Sequence, residues 1–227
     1  MKILQTRRGI TEIRNLLNYL SDKDAFICGG YVRYCASPLK NPVEATDVDV
    51  YCKDEETFEV LKKHFANVGL EIRYENHMAL TYKAMKDDGI YSYHPPIQLI
   101  KPVKEGAIVA NGDMGSILEN FDFTVIRCGL INADNAMVDD DFEEDEKNKF
   151  LRIKNIHCPI SSTLRFMKYA RKGYFTRPMQ VVKLFLDWDG RTPEYRAKLI
   201  EGLNTSASGK EMTREEIDEL EALLRID

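Results

Sequence analysis

Four residues, Asp47-Val48-Asp49-Val50, constrain this chain more than any others. In an extended strand, residues two apart share a face, so both carboxylates point one way and both valines the other. Such a strand belongs to a sheet that is packed on one side and meets something charged on the other. Two like charges on one face repel, and a divalent cation between them removes that cost. Upstream, the apolar run Ala25 to Cys28 reads as a buried strand. It stops at Gly29-Gly30, where backbone can turn tightly and approach a ligand with no Cβ in the way. Tyr31 to Ala36 follows as a short helix, ended by Ser37-Pro38. A glycine turn able to hold phosphate, ahead of a carboxylate pair able to hold magnesium, points to nucleotide chemistry.

Around this stretch the periodicity predicts more elements. Ile10, Ile13, Leu16, Leu17 and Leu20 fall at helical spacing, as do Phe58, Leu61 and Phe65 in a helix from about Asp54. Residues 70–84 alternate as one or two strands, with a turn at Lys86 to Gly89. Ile97 to Ile100 is a short strand between prolines, and Asp113 caps a short helix through Leu118. Phe121 to Ile131 is strand-like and turns into a second strand at Ala136 to Val138. Asp139 to Glu146 carries seven acids in eight residues, the pattern of a solvated loop.

The division expected from this shift in composition is 1–150 for a mixed-sheet head and 151–227 for a helical tail. In the tail, Ser161 or Ser162 caps a helix with Leu164, Met167 and Ala170 on its apolar face. Further helices start at Pro178 and Pro193. Asn204 to Lys210 reads as a connector, and Thr213-x-x-Glu216 is a capping box opening a last helix.

Composition narrows the class. The 227 residues are 44% hydrophobic and 30% charged, an ordinary globular balance. No apolar run approaches the roughly 18 residues of a membrane span, so no membrane partner is expected. Five cysteines with no C-x-x-C pair suggest reduced thiols and a cytoplasmic protein, and four scattered histidines leave oxygen as the expected metal ligand. The net charge of −5 argues against coating nucleic acid wholesale but leaves room for a local basic groove. One basic run, Arg165, Lys168, Arg171, Lys172 and Arg177, suits phosphate or RNA.

Four stretches, in order, resemble the class II nucleotidyltransferases, the tRNA CCA-adding enzymes and bacterial poly(A) polymerases of the polymerase-β-like superfamily. The family's G-G-x-V-R-D is matched by Gly29-Gly30-Tyr31-Val32-Arg33-Tyr34, and its D-x-D by Asp47-Val48-Asp49. R-D-F-T-I-N-A is echoed by Phe121 to Arg127. The neck helix L-R-A-I-R-F-A-A-x-L-G-F is echoed by Leu164 to Tyr174. The likeness covers roughly residues 10–175, and its specificity lies in the combined order.

The resemblance implies an α/β (α+β) nucleotidyltransferase head with a mixed sheet, a small all-helical neck, and an active site between them. It implies that Asp47 and Asp49 hold two magnesium ions and that Gly29 and Gly30 contact the triphosphate of an NTP such as ATP. Arg33 would bridge phosphates or lock the glycine loop, and Asp122 would support the nucleotide or its ribose. Arg165 and Lys168 add phosphate-binding charge. The reaction implied is transfer of a nucleoside monophosphate to a hydroxyl, most simply an RNA 3′ end, with a small molecule or protein as other acceptors. Three departures favour a different reading, a non-catalytic module that binds nucleotide, RNA or protein. Tyr34 replaces the family's aspartate. Gln98 stands where many relatives carry a third carboxylate. The base-reading E-D-x-x-R positions hold Cys158, Pro159 and Ser162.

Overall fold

A computed structural model describes residues 1–8, 10, 13–76, 78–83, 95–102, 112–157, 159–207 and 213. Its centre is a mixed sheet of eight strands: β1 (Lys2–Gln5), β2 (Ala25–Cys28), β3 (Val48–Cys52), β4 (Ile72–Glu75), β5 (Ala79–Tyr82), β6 (Ile97–Ile100), β7 (Cys128–Leu130) and β8 (Asn135–Val138). Across the sheet the order is β1-β8-β7-β2-β3-β6-β5-β4. Only β3 and β6 are parallel neighbours; the other adjacent pairs are antiparallel.

The alternation in β3 sets the layers. Val48, Val50 and Cys52 join Ile27 of β2 in the main core, which also takes buried residues from α1 (Arg14–Leu20), α2 (Gly30–Ala36) and α3 (Glu55–Asn67). The third of these forms as its sequence demands. Asp54 caps it by accepting from the Thr57 amide at 2.9 Å, Glu55 and Glu56 suit the positive end of its dipole, and Gly69 follows at φ 80°. Phe58, Leu61 and Phe65 are buried, each contributing roughly 2 kcal/mol. On the other face, α4 (Met114–Glu119), capped by Asp113, packs Ile117 and Leu118 over Cys28 and against Phe26 and Tyr51.

Four expectations are corrected. Asp139 to Glu146 is not a solvated loop: α5 (Phe142–Asn148) forms there, and Asp139, Asp145 and Glu146 are buried. Each buried acid has partners that repay its desolvation. Asp139 pairs with Arg127 and Lys154, Asp145 accepts from Thr124 and from Nε and Nη2 of Arg152, and Glu146 meets Arg33, Ser37 and Tyr174.

Phe121 to Ile131 is not one strand. Thr124–Ile126 is a 3-10 turn, and within this run the sheet strand is confined to Cys128–Leu130. Phe123, Val125 and Ile126 all enter a second apolar cluster with Leu151, Ile153, Tyr169, Tyr174 and Leu184. Two-sided alternation would have sent part of that run elsewhere.

The helix α6 (Pro159–Arg171) starts before the expected serine caps and turns its other side inward. Leu164, Met167 and Ala170 face solvent, while Pro159, Ser162 and Tyr169 are buried. The inner stripe looked polar because Ser162 is satisfied there, donating to Asp122 at 2.9 Å. After α7 (Pro178–Asp189), α8 (Pro193–Ala207) continues into the expected connector, whose first glycine is Gly209. The turn at 86–89 and the helix after Thr213 lie outside the described residues. Among the described residues no helix is long and apolar enough to cross a membrane.

Candidate functional site

The carboxylate pair lies on the sheet face opposite the main core. Asp49 stands between Cys28 of β2 and Gln98 of β6, and Asp47 immediately precedes β3. The Gln98 side-chain amide donates to Asp47 Oδ2 at 3.4 Å. The Asp49 carboxyl is pushed up to about 7 by burial and by the charge of Asp47, against the pull of Lys168 and Arg165.

Gly29 comes up against this carboxylate from the side. Its φ is +83°, a conformation L side chains rarely adopt, and a Cβ there would sit 3.6 Å from Asp49 Oδ2 and 3.4 Å from the Phe121 ring. The turn is pinned: its amide donates to the Cys128 carbonyl at 2.8 Å and its carbonyl accepts from the Arg33 amide at 2.9 Å. A Cβ on Gly30 would meet nothing within 4 Å, so that position faces open space.

The third component is the basic side of α6, with Lys172 just past its end. Lys168 and Arg165 act on Asp49, while Lys172 responds to Asp47. Burial lowers the Lys172 pKa, and Lys168 and Arg33 lower it further. Arg165 is held charged above the usual guanidinium range, chiefly by Asp122, with which it pairs. The sheet thus presents anionic groups and a glycine turn, and α6 presents cations beside them.

The remaining two expected site residues sit differently. Asp122 is buried; its Oδ2 accepts from Ser162 and Arg165, and its Oδ1 has no protein partner. It therefore orients Arg165. Arg33 is 1% exposed. Its Nη1 meets Glu146 at 3.0 Å and Tyr174 at 3.1 Å, and its Nη2 donates to the Val43 carbonyl. This guanidinium sits in the interior, beneath the glycine turn.

Residues 6–149 match the model of the family described as Gabija anti-defense 2 family protein. The chain belongs to the Gabija anti-defense 2 family. No curated protein sequence matches it. Among solved structures, it is similar to a tRNA-processing enzyme in its apo form (TM-score 0.54, 16% identity, covering 87% of this chain and 54% of that one). A CCA-adding enzyme in complex with CTP superposes with a TM-score of 0.53 at 16% identity, over 98% of this chain and 56% of the other. The Bacillus stearothermophilus CCA-adding enzyme with CTP gives 0.54 at 16%, over 76% and 42%. At these identities the likeness speaks for the fold, which is that of the CCA-adding enzyme head. The chain spans about half the length of these structures.

Sequence reasoning missed three contributors. Lys172 is one cation in a run, and in the fold it feels the charge of Asp47. Tyr51 continues the 47–49 alternation onto the same face, where burial and Asp49 raise its pKa well above normal. Glu146 was hidden in a segment read as solvated.

Proposed function

We propose that this chain is a metal-dependent nucleotidyltransferase that moves a nucleoside monophosphate from an NTP to a hydroxyl acceptor, with an RNA 3′ end favoured, and releases pyrophosphate. The observation that carries the reading is the half-buried Asp47/Asp49 pair, with a glycine turn against one side and the Arg165, Lys168 and Lys172 cations within electrostatic reach.

The residues fit magnesium. Among the described residues no group of three or more acidic, His or Cys side chains is placed to hold a metal. Magnesium, however, is ordinarily held by one or two carboxylates together with waters and substrate phosphates. Asp49, whose carboxyl is pushed up by burial and then by the charge of Asp47, gains most from a cation. Magnesium bound there would activate the attacking hydroxyl and neutralise the departing pyrophosphate.

The chain's own part is positioning and charge. Gly29 and Gly30 leave room for the triphosphate, and Lys168 and Lys172 offset its charge. Arg165, oriented by Asp122, completes the cationic side. The acceptor oxygen bonds to the α-phosphorus, and the bond from that phosphorus to the bridging oxygen breaks. Its electrons leave with pyrophosphate, and the hydroxyl proton passes to water.

The second reading is the non-catalytic module, favoured by Gln98 beside Asp49 and by Pro159 and Ser162 at base-reading positions of the resembling family. Magnesium with each α-labelled NTP and total RNA separates the two. Label entering RNA, and lost in Asp47→Ala/Asp49→Ala, supports transfer. Magnesium-dependent NTP binding with no label in RNA, protein or small molecules supports the module.

A further inference from the structure

Beyond the end of α6 the chain displays an aromatic group with no packing reason to be outside. Tyr174 is buried, yet the next residue, Phe175, is 54% exposed on a backbone fixed from both sides. Its amide donates to the Lys149 carbonyl at 2.9 Å, and its carbonyl accepts from the Leu151 amide at 2.8 Å. The ring is backed by Phe150 at 5.5 Å. The guanidinium groups of Arg177 and Arg152 lie over the Phe150 ring, at 5.6 Å and 5.7 Å.

Arg177 and Arg152 thus sit at the Phe150–Phe175 pair, and Lys149 immediately precedes it in the chain. Lys149 reaches across Gly173, where a Cβ would lie 3.5 Å from its Nζ. Lys149, Arg171, Lys172 and Arg177 have no ion-pair partner among the described residues, on a chain whose net charge is −5. Tyr174, the residue before Phe175, accepts from Arg33 Nη1 at 3.1 Å, and the Arg33 amide donates to the Gly29 carbonyl at 2.9 Å, which ties this surface to the glycine turn beside the carboxylates.

We propose that Phe175, backed by Phe150 with Arg177 and Lys149 alongside, is a stacking platform for single-stranded nucleic acid that leads to the Asp47/Asp49 face. A rigid exposed ring among unpaired cations suits unstacked bases on a phosphate backbone; a duplex offers no free base face to such a ring. The inference rests on reading that face as a nucleotidyl-transfer site, and it adds where the acceptor strand lies.

The test is fluorescence anisotropy with a labelled single-stranded RNA of about twelve nucleotides. Phe175→Ala is expected to weaken binding roughly tenfold, and Phe175→Trp to restore it. Arg177→Gln is expected to lower the slope of log affinity against log salt by about one. Binding of magnesium-NTP, followed by calorimetry, stays unchanged in all three variants.

Equal RNA affinity in Phe175→Ala, or no RNA binding by the unaltered chain, overturns the platform. The calorimetry then decides separately whether the transfer site stands. Poly-glutamate that binds as tightly as RNA, and loses as much in Phe175→Ala, would also overturn it by making the surface one for an acidic protein.

Discussion

Arg33 and Glu146 form an ion pair of 3.0 Å in which the two side chains are 1% and 0% exposed. They are 113 residues apart, and the pair fastens α2, which begins at the glycine turn, to α5. Glu146 is fully used: Oε1 also accepts from Ser37 at 2.7 Å, and Oε2 accepts from Tyr174 at 2.6 Å. Burial disfavours the Arg33 charge, and the oxygens of Tyr169, Glu146 and Tyr174 outweigh that effect, so the guanidinium remains charged.

Glu146→Ala therefore leaves a buried cation without its counter-charge, a defect that costs about 3–5 kcal/mol. Urea unfolding should register that loss. The paired replacement Arg33→Met/Glu146→Leu should recover much of it, because no charge is then stranded. A loss below about 1 kcal/mol in the single variant would mean that water reaches the pair.

Asp49 makes stability depend on pH in the sense opposite to an ordinary paired carboxylate. Its pKa is about 7 in the folded chain against 3.8 as a reference, so folding takes up a proton between those values. The contribution is complete below about pH 4 and is lost as pH rises through 7. Asp49→Asn removes this dependence. The variant should exceed the parent in stability at about pH 8 by on the order of 2 kcal/mol, with the gap closing towards pH 4. Thermal melts across that range check it, and a constant gap would show that Asp49 titrates normally.

Legibility in the sequence followed the range of the interactions. The β3 face, the glycine turn, the helix start at Asp54 and the cap at Asp113 depend on neighbours a few residues away, so period and residue type were sufficient. The buried acids of α5 depend on Arg33, Arg127 and Thr124, whose distance along the chain hides them. The inner stripe of α6 was misread for the same reason: Ser162 and Arg165 look like solvent residues until Asp122 is brought beneath them. Residue type located the carboxylates; only the packing showed that Arg33 supports the turn from within.

The two glycines should respond differently to alanine. At Gly29 the left-handed backbone and the nearby Phe121 ring and Asp49 oxygen make Gly29→Ala destabilising by about 1–2 kcal/mol. At Gly30 the backbone begins a helix and the space ahead is open, so Gly30→Ala should hold or raise the melting temperature. If the triphosphate occupies that space, Gly30→Ala should still weaken magnesium-NTP binding. Undiminished binding in a well-folded Gly30→Ala chain would place the nucleotide elsewhere.

Lys168 links the two halves of the site and offers the sharpest electrostatic test. Its charge pulls the Asp49 pKa down, so Lys168→Met raises that pKa further. Magnesium binding needs the ionised carboxylate, and the pH midpoint for magnesium-NTP binding should therefore move upward in the variant. Affinity at high pH should also fall roughly tenfold, because a charge-assisted contact to phosphate is removed. Lys168→Arg, which keeps the charge, should leave the midpoint near that of the parent. Calorimetric titrations at a series of pH values separate the effects: a lower affinity with an unmoved midpoint would confine Lys168 to the phosphates and detach it from Asp49.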